Sequence, residues 1–166
     1  VLVEIKRHWH GPSQPANAHG RMNITLEKSR DWQMAWDISQ HPAVFDRVTN
    51  DAWAAEPDEV RKEGIRLLVE DENNVMLVVV DEGEICGCFL FEQKEPGVYE
   101  VHTMLLPQCR GAYAIVAGRM AARWMFDYGA AKLTSFCPMN HREILFFALK
   151  CGFHKAGKAA ISWVKA

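Results

Sequence analysis

The stretch from Tyr99 to Phe153 constrains this chain more than any other. Tyr99 to Leu106 reads as a β-strand, and Arg110-Gly111-Ala112 then opens an apolar-faced helix that runs to about Tyr128. A second strand is expected from Lys132 to Phe136, followed by Pro138-Met139-Asn140, a short helix and Gly152-Phe153. A strand that feeds a small-residue turn and a helix N-terminus leaves the first-turn backbone N–H groups unpaired, with the helix dipole favouring negative charge beside them. That order suits a phosphorylated ligand.

At these residues the chain resembles a known family. Leu106-Pro107-Gln108-Cys109-Arg110-Gly111, the helix that follows, Asn140 and Lys150-Cys151-Gly152-Phe153 are similar to the pattern of the GCN5-related N-acetyltransferases (GNAT), which are acyl-CoA-dependent transferases. The resemblance spans Met22 to Ala166 and looks closest to divergent, phage-associated members. Tyr113 and Ile115, with Ala114 between, stand where the family usually carries further loop glycines. Read from Gln108, the loop is Gln108-x-x-Gly111-x-Tyr113. Ala148 stands where a tyrosine often serves as general acid.

The resemblance implies an α/β (α+β) domain with a mixed, mostly antiparallel sheet of six to seven strands, helices on both faces and a V-shaped opening between two parallel strands. It implies acetyl-CoA as acyl donor and an unidentified amine as acceptor, with direct attack of the amine on the thioester and no metal. The pantetheine arm would bond to backbone at Thr103, Met104 and Leu105, and the pyrophosphate would lie over the N–H groups of Arg110, Gly111, Ala112, Tyr113 and Ala114. Arg110 would add a charge-assisted contact. Asn140 matches a residue that contacts the pantetheine arm, or else caps the helix after it. Phe147 is counted on the cofactor side, although spacing alone divides Phe146 and Phe147 between core and cleft.

Glu100, His102 and Met104 share one face of the strand. Acyl transfer needs a neutral amine, so a base must take its proton. In the family a carboxylate early on this strand often does so, which points to Glu100; His102 is the second candidate because imidazole titrates near neutrality. A solvated glutamate and a satisfied histidine are the alternatives. Two other classes stay open: a non-catalytic binding or structural module, for instance in a phage particle, and an acyl-CoA sensor.

The net charge of −2 gives no electrostatic footprint for nucleic acid. No apolar run approaches a membrane span, and residues near the start lack the apolar core of a signal peptide. Five cysteines, an odd number, argue against a complete disulfide framework and for a reducing, cytoplasmic setting. Oligomeric state is silent, and a homodimer is left open.

Residues 1–21 are expected to form an extension, a loop or arm, ahead of a single domain over 22–166. Val1 to Ile5 suits a short strand, but His8 to Gly20 is rich in His, Pro, Gly and Asn. Met22 is the expected native start, which intact mass of the natively expressed protein would check. Met22 to Leu26 reads as a strand, Ser29 as a helix cap, Trp32, Ala35 and Trp36 as one helical face, and Pro42 to Val48 as a second short helix. Trp53 belongs to the acceptor side or to the core. Val75 to Val80 and Ile85 to Phe91 read as a hairpin about Asp81-Glu82-Gly83. Cys86 and Cys88, two apart, are expected to face the same way as small buried thiols. Val116, Met120, Trp124 and Tyr128 are expected to be the core stripe of the long helix. Gly152 to Lys155 and Ala159 to Val164 are the expected last strands.

Overall fold

The computed structural model describes residues 1–7, 23–48, 51–138 and 141–157. Their elements are β1 (Leu2–Lys6), β2 (Ile24–Ser29), α1 (Trp32–Gln40), α2 (Pro42–Val48), α3 (Asp51–Ala55), α4 (Asp58–Glu70), β3 (Val75–Asp81), β4 (Glu84–Glu95) and β5 (Val98–Leu105), then a 3₁₀ turn (Pro107–Cys109), α5 (Ala112–Tyr128), β6 (Lys132–Phe136), α6 (Arg142–Lys150) and β7 (His154–Gly157). Asp31 caps α1 by accepting from the Met34 N–H, and Pro57 starts α4 where its missing N–H costs nothing.

The strands form one seven-stranded sheet in the order β2-β3-β4-β5-β6-β1-β7. Every pairing is antiparallel except β5 with β6. This is the mixed α+β architecture expected. The strand between β6 and β7, however, comes from the first residues of the chain. Val3 and Ile5 are fully buried there, so the boundary drawn at Met22 cuts through the sheet. The expected strand Ala159–Val164 and the expected start at Met22 lie outside the described residues.

Helices cover both faces. On one, Leu77, Val79, Phe89 and Leu105 pack against α5; on the other, Met76, Val78, Leu90 and Met104 pack against α1 and α4. Both faces of β3 and β4 are buried, which is why these strands read as continuous apolar runs. Trp53 packs over Gly64 of α4 as part of the second core.

The buried stripe of α5 differs from the expected one. Ala114, Ala117, Ala121, Ala122 and Met125 face the sheet, while Val116, Met120 and Trp124 flank it and Tyr128 is exposed. Small residues let the helix lie close to the strands, and the bulky ones seal its sides. Gly118 gives the same closeness toward α6: a Cβ there would sit 2.5 Å from Sγ of Cys151, the residue that ends α6.

Cys86 and Cys88 face opposite ways. Opposite Val79 and Val80 of β3, strand β4 bulges with Cys86 as the extra residue and Gly87 at φ +145°, which turns Cys86 into the α5 core while Cys88 enters the α1/α4 core. Cys86 is joined to Cys109 as a disulfide across a Cα separation of 5.7 Å, so the cysteines are not all free thiols as expected; Cys88, Cys137 and Cys151 are free and buried.

Gly87 has no room for a side chain. A Cβ would run into the Met104 carbonyl oxygen and lie 2.8 Å from Leu105 Cα, both backbone, at a φ that L-residues avoid. Gly87→Ala should destabilise the fold by about 3 kcal/mol, lowering Tm by roughly 6–12 °C. A calorimetric melt within two or so degrees of wild type would show that the bulge relaxes freely.

Candidate active site

The parallel ladder between β5 and β6 is short. Val98, Tyr99 and Glu100 pair with Lys132, Leu133 and Thr134, and there the register stops. Beyond it the strands part, leaving the edge of β5 from Val101 onward open toward β6, apart from a long contact in which Ser135 Oγ donates to the Val101 carbonyl at 3.5 Å. The gap widens into a cavity of about 800 Å³, floored by Val101, Thr103 and Leu105, with α5 on one side and Ile144, Phe147 and Ala148 of α6 on the other.

The N-terminus of α5 opens onto this cavity. Gly111 takes φ +70°, no side chain caps the helix, and its first turn carries no acid. A Cβ at Gly111 would meet nothing within 4 Å, so the backbone can be approached. Ala112 is exposed there and Ala114 is buried along the cavity wall.

Tyr113 leaves the mouth clear. Its ring packs against the α5-side core and its hydroxyl is buried toward Asp81 at the end of β3. Burial, then the Asp81 carboxylate, raises the phenol well above its ordinary range. Of the two residues that replace loop glycines, only Ile115 borders the cavity.

Arg110 is placed differently from expectation. Its Nη2 donates to the Ala43 carbonyl at 2.5 Å and to the Leu105 carbonyl at 3.3 Å. It therefore ties α2 to the end of β5, while still bordering the cavity. Thr103 and Leu105 line the cavity, but the Met104 side chain points into the opposite core, so Met104 offers only backbone. Phe147 spans both environments, lining the cavity and packing on the core. Asn140 lies outside the described residues.

Glu100 and His102 both border the cavity and are brought together. His102 Nε2 is 3.0 Å from Glu92 Oε2 and 3.6 Å from Glu100 Oε2. Lys94 Nζ lies 3.0 Å from Glu92 and 3.3 Å from Glu100. Sequence reading missed Glu92 and Lys94. Counting outward from the Pro96–Gly97 turn would have set Gln93 opposite Glu100; a bulge at Lys94 shifts the register and brings Glu92 opposite Glu100 instead. The hydrogen bond from His102 dominates the Glu92 carboxyl, bringing it from its ordinary 4.5 to about 2 against the opposing effect of burial. Glu92, Glu100 and His102 have the spacing of a metal set, but the Lys94 ammonium already sits between the two carboxylates where a cation would go.

The cavity-lining thiols are poor nucleophiles. Burial pushes Cys151 up to about 12 and Cys137 to about 11, and Cys88 behind the sheet to about 12. A thiol reacts as its thiolate, so the geometry gives no support to an acyl-cysteine route. Among the described residues no helix is long and apolar enough to cross a membrane.

A family model described as "Protein of unknown function (DUF2824)" matches residues 66–153, from mid-α4 to the end of the cleft. The chain belongs to that family. Among curated proteins nothing matches. Solved structures do. The spermidine N-acetyltransferase of Vibrio cholerae, in complex with CoA and spermine, matches with a TM-score of 0.65 at 15% identity, covering 81% of this chain and 82% of that one. The aminoglycoside acetyltransferase AAC(6')-Ib, in complex with coenzyme A and kanamycin, matches with a TM-score of 0.63 at 16% identity, covering 81% and 86%. At such identities the likeness is one of fold, and this DUF2824 chain has the fold of those N-acetyltransferases.

Proposed function

We propose that this chain is a divergent GNAT-type N-acyltransferase that moves an acyl group, acetyl in the first instance, from acyl-CoA to an amine by direct attack. The observation that carries the reading is the cleft itself: β5 leaves β6 after Glu100, and the uncapped N-terminus of α5 closes the end of the opening. An open strand edge offers hydrogen bonds to an amide-containing arm, and exposed first-turn N–H groups favour phosphate oxygens. The structures of similar fold were solved with CoA or acetyl-CoA bound.

Acetyl-CoA would supply the activated acyl group as a thioester. The chain's part is to position the amine against that carbonyl and to take its proton. His102 is the better placed base: it borders the cavity, and Glu92 at 3.0 Å fixes the ring. Glu100 is more deeply buried and held by Lys94, so it acts on charge balance. A backbone N–H on the open edge of β5 would stabilise the oxyanion.

Calorimetric titration with acetyl-CoA tests the reading. Micromolar binding is expected, followed by thiol release when polyamines or aminoglycosides, the amines named for the similar structures, are added. No binding would overturn it. Binding without turnover across a broad amine panel would favour a non-catalytic module, which the engagement of Arg110 and Glu100 with neighbouring groups also supports.

A further inference from the structure

One ion pair joins two walls of the cleft from distant parts of the chain. Arg47, in the last turn of α2, places Nη2 3.6 Å from Oε1 of Glu143, in the first turn of α6, and both residues line the cavity. Arg110 completes the group. Its guanidinium lies within the electrostatic reach of both, disfavoured by Arg47 and favoured by Glu143. Two guanidiniums facing one carboxylate leave the group with net positive charge, a condition that a multiply charged anion relieves.

The two arginines are not equivalent. Arg110 is spent on the carbonyls of Ala43 and Leu105, and by holding Ala43 it sets α2, and with it Arg47, beside the loop that precedes α5. Among the described residues Arg47 keeps a half-buried head with one weak partner, because 3.6 Å exceeds a hydrogen bond. Exposed pairs of that kind contribute little, whereas arginine bonded to a phosphate is short and charge-assisted. Glu143 loses little if Arg47 turns away, since the same Oε1 is 3.3 Å from His141 Nδ1.

We propose that Glu143 is an internal anion that occupies Arg47 in the free protein, and that Arg47 passes from this carboxylate to a phosphate oxygen of the acyl donor. The inference rests on the acyl-CoA reading and adds to it a phosphate-binding residue on α2, outside the strand, loop and helix that the sequence pattern marks. It makes Glu143 a competitor of the ligand, so its removal improves binding.

The test is titration of wild type, Arg47→Gln, Arg47→Lys, Glu143→Gln and the Arg47→Gln/Glu143→Gln double variant with CoA, and separately with pantetheine, which lacks the phosphates. Melting curves establish that each variant is folded. Arg47→Gln should weaken CoA roughly tenfold or more, with partial recovery in Arg47→Lys. Glu143→Gln should tighten CoA about two- to fivefold, and that gain should vanish without Arg47. Pantetheine should be indifferent to all four. Wild-type CoA binding with no response to Arg47→Gln, or weakening in Glu143→Gln, overturns the inference while leaving the acyl-CoA reading in place. Wild type that binds neither CoA nor pantetheine overturns both.

Discussion

A chain that begins at Met22 should lose the cooperative thermal transition of the 166-residue protein. Such a chain lacks β1, which pairs with β6 through five residues and with β7 on its other side. Its removal breaks both ladders at one end of the sheet, leaving β7 without a partner strand, and strips two buried side chains from different cores. Ile5 belongs to the main α5-side core, and Val3 anchors a smaller one with Cys137 and Ala148 that fixes α6. Burial of each is worth about 1.5–3 kcal/mol, before the cost of the unpaired edges, in a protein whose total stability is expected to be about 5–15 kcal/mol. The single change Ile5→Ala should cost about 2–5 kcal/mol and lower Tm by roughly 5–15 °C. Far-UV circular dichroism melts of both proteins check this. A shortened chain that melts within a few degrees of the full one, with equal steepness, would show β1 to be dispensable and restore residues 1–21 as an extension.

His102→Gln should lower kcat by about two to four orders of magnitude on an accepted amine, with the acetyl-CoA dissociation constant unchanged. The imidazole borders the cavity while its Nε2 is bonded to Glu92, so the ring is oriented, and under the proposed mechanism its other nitrogen would take the amine's proton. Glu92→Gln should act in the same direction by a smaller factor, through ring orientation and not through contact with substrate. Its distinguishing sign is a displaced pH profile of kcat, because the group removed is a carboxylate that stays ionised down to about 2. Glu100→Gln is the discriminating companion. Full turnover in His102→Gln together with silence in Glu100→Gln would move the base to Glu100, whose carboxylate would then have to shed Lys94 first.

Local signals carried far along this chain. The apolar runs of β3 and β4 reported burial on both faces, and the strand, turn and helix from Tyr99 to Tyr128 reported the α5 N-terminus facing open space. Pro42 marked the start of α2. These features were legible because each follows from the periodicity or dihedral demands of adjacent residues. The core stripe of α5 differs for a related reason: hydrophobic size marks burial in the sequence, but close contact with the sheet selects alanine, and contact with α6 selects Gly118.

The tertiary structure decided the rest, through pairings that no local pattern encodes. Whether Leu2–Lys6 is an arm or an inner strand depends on β6, more than a hundred residues away. The bulge that turns Cys86 from its neighbour's face arises from the register of β3 on β4, and the Cys86–Cys109 pairing follows from it. Glu92 and Lys94 join the site only because the β4–β5 hairpin, bulged at Lys94, sets Glu92 opposite Glu100 and brings both side chains to the site, and Arg47 meets Glu143 only because α2 and α6 flank the same opening. Sequence by itself determined the elements and the helix end that can hold an anion. Long-range register, set by which apolar faces must be buried together, decided which charges share the cleft.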